Sequence, residues 1–173
     1  MYRQGFATRA DRALRVHMDD RWLRIYLRDH HAASAGGVAL ARRALGSTHP
    51  LTEQIARDRK ALEEVMRQLD VPSSAVKVGL VRIAERLGRL KLNGRLFERS
   101  PLSRVIELEA LVVGIRGKEA LWTALLTAGR RPTGIDLDAL VESARTQARE
   151  VDALRLAAAA GVLGSGPKRD TRP

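Results

Sequence analysis

Apolar residues recur along this chain every three or four positions, the period that gathers side chains on one face of a helix. They do so in five stretches, separated by glycine, proline and short polar runs. No stretch shows the β-branched enrichment of a strand. The first helix is predicted from about Asp20 to Leu45, with Asp19 or Asp20 at its cap and Trp22, Ile25, Ala33, Gly36 and Leu40 as its stripe. Its run Ala32-Ala33-Ser34-Ala35-Gly36-Gly37 is almost wholly small. Glycine inside a helix costs about 1 kcal/mol against alanine, so this run predicts the close approach of another helix. Gly46 is placed to cap its end.

A second helix is expected from Leu51 to Leu69, capped by Thr52, with Leu51, Ile55, Leu62, Val65, Met66 and Leu69 inward. Asp70-Val71-Pro72 stops it, because proline cannot continue an interior turn. A short third helix follows from Ser74 to Leu87, then a loop or short helical piece to Pro101. The fourth helix opens on Ser100 as cap and Pro101 at its first position, and runs to Leu126. Its first half has so little polar face that burial on nearly all sides is predicted. The fifth runs from Asp136 to Ala160, its stripe Leu137, Leu140, Val141, Ala144, Ala148, Val151 and Leu154. Residues 1–18 and 161–173 are expected to be tails. Residues 19–160 then form one all-α domain, an antiparallel four-helix bundle with the short helix and a basic loop as its crossover.

Composition narrows the chemistry. Hydrophobic residues are 45% of the chain and aromatics 3%, so the interior is aliphatic. Cysteine is absent, which excludes a disulfide scaffold, a thiol nucleophile and cysteine-held metals, and fits the reducing cytoplasm. The longest apolar run, Leu156–Leu163, falls short of the roughly 18–20 residues of a membrane span. No phosphate-binding glycine loop, Gly-x-Ser-x-Gly elbow or His-Glu-x-x-His occurs. The formal net charge is +11, and residues 76–104 hold eight basic residues against two acidic ones. There Arg86, Arg89, Lys91, Arg95, Arg99 and Arg104 recur two to five apart where neighbours are leucines. Such an edge suits phosphates of a nucleic acid or the headgroups of anionic lipid. The bland alternative is a solvated loop whose leucines cover one end of the bundle.

Polar residues inside apolar stripes are the remaining candidates. Asp29 lies four residues from both Ile25 and Ala33 and shares their face, while His30 falls on the neighbouring stripe of Leu23, Leu27 and Ser34. Asp58 lies between Ile55 and Leu62, and Glu107 and Glu109 interrupt the most apolar segment. A buried carboxylate is costly unless it is paired or metal-bound. The expectation is that protein cations, chiefly arginines, neutralise these acids.

Carboxylates on several helices of such a chain resemble the ferritin-like superfamily, whose bundles hold di-iron or di-manganese centres. The resemblance implies Asp29 or His30, Asp58, and Glu107 or Glu109 as ligands of Fe or Mn. The superfamily's Glu-x-x-His is absent, and Glu142 and Glu150 lie off the fifth stripe. A second resemblance rests on Tyr26-Leu27-Arg28-Asp29-His30, Ala39-x-Ala41-Arg42, Gly88-Arg89-Leu90-Lys91-Leu92-Asn93-Gly94-Arg95, Ser100-Pro101-Leu102-Ser103 and Glu107-Leu108-Glu109-Ala110-Leu111. These segments are similar to a family of small actinobacterial helical proteins to which no activity is assigned. It too implies a ferritin-like bundle. The sequence therefore predicts a non-catalytic interaction or structural protein, without a cofactor, with a homodimer through Ala32–Gly37 as one arrangement. A degenerate metal-binding protein and an anion-binding protein are the alternatives.

Overall fold

The computed structural model describes residues 9–72 and 101–164, with side chains from Asp20 onward. Four helices make up the described residues: α1 (Arg9–Leu45), α2 (Pro50–Gln68), α3 (Pro101–Thr127) and α4 (Leu137–Leu163). None of them is long and apolar enough to cross a membrane. The expected helix 74–87 and most of the basic loop lie outside the described residues. Two boundaries move outward. Helix α1 begins at Arg9, inside the expected tail of residues 1–18, and α4 continues past Ala160 to Leu163.

The helix ends follow local chemistry. Gly46 takes a φ of 104°, open to glycine, and its N–H donates to the Arg42 carbonyl. Helix α2 is capped by His49 rather than Thr52: the His49 ring accepts from the Leu51 N–H, while the Thr52 hydroxyl donates back to the Gly46 carbonyl at 2.9 Å. It ends before Pro72 acts. Asp70, at φ 50°, and Val71 donate back to the Arg67 and Met66 carbonyls, a Schellman turn that buries Val71. Gly129, at φ 67°, closes α3 the same way, with Gly129 and Arg130 donating to Leu126 and Leu125. Asp136, the expected first residue of the fifth helix, caps α4 instead, its carboxylate accepting from the Ala139 N–H at 2.9 Å.

Two apolar clusters form the core. One joins Val38, Ala41 and Ala44 of α1 to Leu51 and Ile55, Leu108 to Ile115, and Ala144 to Val151. The other joins Leu27 of α1 to Leu62, Val65 and Met66, Leu121 to Leu125, and Leu137 and Val141. Two stripes differ from expectation. Of the set predicted on α1, Trp22 is 60% exposed and Ile25 and Ala33 are exposed with it, while Leu40 packs against the first cluster. The buried face is Leu27, His31, Ala32, Val38, Ala41 and Ala44, whose smaller side chains give a weaker signal than the exposed Trp and Ile. Helix α3 is buried on one side only, since Leu102, Ile106 and Val113 form an exposed strip. The close helix contact expected at Gly36 and Gly37 is also missing, for a Cβ at either meets nothing within 4 Å.

Candidate functional site

Between the two clusters each helix places polar side chains at core register. Asp58 follows Ile55 by three residues on α2, Lys118 follows Ile115 by three on α3, and Gln147 follows Ala144 by three on α4. Helical geometry therefore turns all three toward the interior. Asp58 is 6% and Gln147 1% exposed. The Lys118 ammonium donates to the Asp58 carboxylate and, at 2.5 Å, to Gln147 Oε1. Gln147 Nε2 donates to the same Asp58 oxygen and to Ser143 Oγ, both at 3.0 Å. Carboxylate, ammonium and amide thus close on one another across three helices. Burial pushes the Lys118 ammonium below the ordinary lysine range, with the Asp58 charge and hydrogen bond opposing.

A second polar group joins α1 to α2. His31 is 4% exposed, and its Nε2 lies 3.1 Å from Glu63 and 3.3 Å from Arg59 Nη2. One ring nitrogen cannot donate to the acid and accept from the guanidinium at once. Donation to the carboxylate is the charge-assisted arrangement. That hydrogen bond is the main reason the Glu63 carboxyl sits below its ordinary range, ahead of the contribution from Arg59. Arg59 also donates from Nε to Glu63 at 3.0 Å and from Nη1 to Ser34 at 3.3 Å.

The residues singled out in the sequence scatter around this layer. Asp58 is buried and neutralised by a protein cation, as expected, but by a lysine rather than an arginine. Glu107 is half-buried and pairs with Arg43 at 2.5 Å. Asp29 and Glu109 are exposed, each off the buried face of its helix. His30 is half-buried and meets Tyr26 edge-on with ring centres 4.6 Å apart. Burial pushes its imidazole below the usual histidine range, against the charge of Asp29. Among the described residues no three His, Asp or Glu side chains gather as a metal-binding group. Asp29, His30, Asp58, Glu107 and Glu109 are therefore not brought together as ligands for Fe or Mn. Of the basic edge, Arg86, Arg89, Lys91, Arg95 and Arg99 lie outside the described residues. Arg104 donates to the Ala44 carbonyl at the C-terminal end of α1, at 2.9 Å, where a cation also meets the negative end of the helix dipole.

The sequence reading missed Lys118, Gln147 and His31. Each shares a face with core residues three or four positions away, and that register was the available signal.

A cavity of about 210 Å³ opens beside Lys118, walled mainly by α1, α2 and α3. Gly37, Gly114 and Gly117 line it, and a Cβ at any of them meets nothing within 4 Å. The hollow therefore exists partly because three helical positions lack side chains, each at about 1 kcal/mol of helix stability against alanine. Exposed Ala33 and Gly114 connect it to the surface. Trp122 walls its inner side with no exposure, and among the described residues its indole N–H has no partner.

No known protein family, curated protein or solved structure matches this chain significantly.

Proposed function

We propose that this chain is a non-catalytic, ferritin-like bundle of four antiparallel helices that works by binding, with an ionic layer where such bundles carry metal. The distribution of the cores supports the antiparallel arrangement. The C-terminal part of α1 shares one cluster with the start of α2, and the start of α3 shares it with the later half of α4. The observation that carries the non-catalytic reading is the closure of Asp58 by Lys118 and Gln147. The inward carboxylate has its charge balanced and its hydrogen bonds supplied by the protein itself. A buried acid in that state has no use for a metal ion.

An outward surface supports a binding role. Trp22, Ile25 and Tyr26 are exposed together on α1 and line a shallow groove with Ala124 of α3 and Ala128 just past its end. Arg21 and Arg24, both exposed, flank them. An apolar strip edged by arginines favours an acidic protein partner over a second copy, which would bring the same net +11. The test is elemental analysis of protein purified without chelator, together with melting in the presence and absence of EDTA. The reading predicts no stoichiometric Fe, Mn or Zn and an unchanged melting temperature. A bound ion near one per chain, or destabilisation by EDTA, contradicts it.

A further inference from the structure

The cavity beside Lys118 borders a carboxylate with one oxygen to spare. Asp58 is 6% exposed, and the two hydrogen bonds it accepts, from the Lys118 ammonium and from Gln147 Nε2, both end on Oδ2. Among the described residues nothing donates to Oδ1. Two side-chain atoms there are sealed from solvent without a partner, Arg28 Nε and Trp122 Nε1, and Asp58 Oδ1 is not one of them. An unpaired oxygen that is not sealed keeps surface that a small molecule can touch, and the open space that Asp58 borders is this cavity. Buried acceptors are nearly always satisfied, so a free carboxylate oxygen beside a hollow marks the place where a donor arrives. Gly37, Gly114 and Gly117 hold that space open at positions where alanine would fit and would strengthen the helices.

The charges around the hollow restrict what that donor belongs to. Asp58 is balanced by Lys118, and Arg59 by Glu63. An anion or a cation would enter a site with no net opposite charge and lose its hydration. Water alone suits the space poorly, because a buried water needs about two to four polar partners and most of the wall is glycine, alanine, leucine, isoleucine and tryptophan. A hydrocarbon would fit the carbon walls but leave Oδ1 without a partner. An engineered cavity of about 150 Å³ holds benzene. About 210 Å³ therefore suits roughly eight to ten non-hydrogen atoms.

We propose that this cavity binds a small, uncharged, mainly apolar molecule carrying one hydroxyl group, which donates its hydrogen bond to Asp58 Oδ1. The proposal rests on reading the bundle as a binding protein rather than a metalloenzyme.

p-Cresol, toluene, acetophenone, benzylammonium and benzoate separate the alternatives, because they share a ring and differ in donor, acceptor and charge. The readout is the backbone N–H resonances of Gly37 and Gly117 in nitrogen–proton correlation spectra of the full chain. p-Cresol should shift them saturably. Toluene should bind about tenfold or more weakly, as loss of one hydrogen bond to a charged acceptor implies. A merely apolar hollow gives the reverse order, because the hydroxyl would shed its water without return. Acetophenone, which accepts but cannot donate, should bind no better than toluene, and both ions more weakly than p-cresol. Asp58→Leu combined with Lys118→Met should abolish the preference for p-cresol over toluene. Should that variant misfold, Gly114→Leu should fill the hollow and remove the p-cresol shifts. The proposal is overturned if no probe shifts the glycines at millimolar concentration, if toluene or acetophenone equals p-cresol, or if either ion binds best. Finding a stoichiometric metal would overturn the non-catalytic reading while leaving these titrations to decide the cavity on their own.

Discussion

Two polar groups occupy neighbouring positions in the same layer of the molecule, and they are built to different depths. In Asp58–Lys118–Gln147 the acid is 8% and the base 16% exposed at the side chain, and the amide satisfies both. In His31–Arg59–Glu63 the histidine is buried, but the guanidinium is 24% and the carboxylate 43% exposed. Both pair opposite charges at hydrogen-bond distance. Water screens the second group and competes for its partners, so its net worth is small. The first is more deeply shielded from water, so each member depends more on the others. Depth, more than the identity of the partners, separates a group that fixes the interior from one that decorates its edge.

The comparison can be broken first at Lys118. Lys118→Met leaves Asp58 charged and buried, and should destabilise by about 3 to 5 kcal/mol in chemical denaturation. A loss under about 1 kcal/mol would put the triad in the same class as the exposed pair. Gln147→Ala comes next, because it strips one acceptor from Lys118 and one donor from Asp58 while leaving the ion pair. It should cost about 1 to 3 kcal/mol by the same measurement. Gly114→Ala sharpens the account of the space beside the triad. With nothing within 4 Å of the new Cβ, it should stabilise by about 0.5 to 1 kcal/mol in thermal melts. A destabilised variant would mean that the glycine answers a packing need.

Glu63→Gln tests the other side and carries the smallest expected effect, below about 1 kcal/mol at neutral pH. It also has a defined pH signature. The Glu63 carboxyl is lowered from the ordinary 4.5, so its contribution is present above that pH and lost as pH falls through its folded value. Melting curves of wild type and variant should therefore converge on acidification below about pH 4.5. Curves that stay parallel would remove Glu63 from the network.

How far the fold is legible in the sequence depends on what kind of signal each element carries. Helix α4 is plain because Asp136 caps it and its stripe has large aliphatic residues at regular spacing. The long first helix is harder. Its buried face is rich in alanine, and Trp22 and Ile25 are turned outward, so hydrophobic periodicity selects the wrong side over its first half. Asp58 could be placed because it stands alone between Ile55 and Leu62. Lys118 and Gln147 could not be found by searching for acids, although their register with Ile115 and Ala144 is equally clear. The pairing itself joins residues 60 and 89 positions apart, and no local pattern encodes it. The small-residue run of α1 suggested helix contact, whereas its Gly37 bounds empty space.

The most direct test of the claim that the interior acid is held by the protein itself is a double-mutant cycle on Asp58 and Lys118. It would be measured by denaturant unfolding of wild type, Asp58→Leu, Lys118→Met and the double variant. The account predicts that the double variant loses less stability than the sum of the singles by about 2 kcal/mol or more, since it removes both charges together. Additive losses would contradict it, and would mean that Asp58 and Lys118 do not depend on each other in the folded chain.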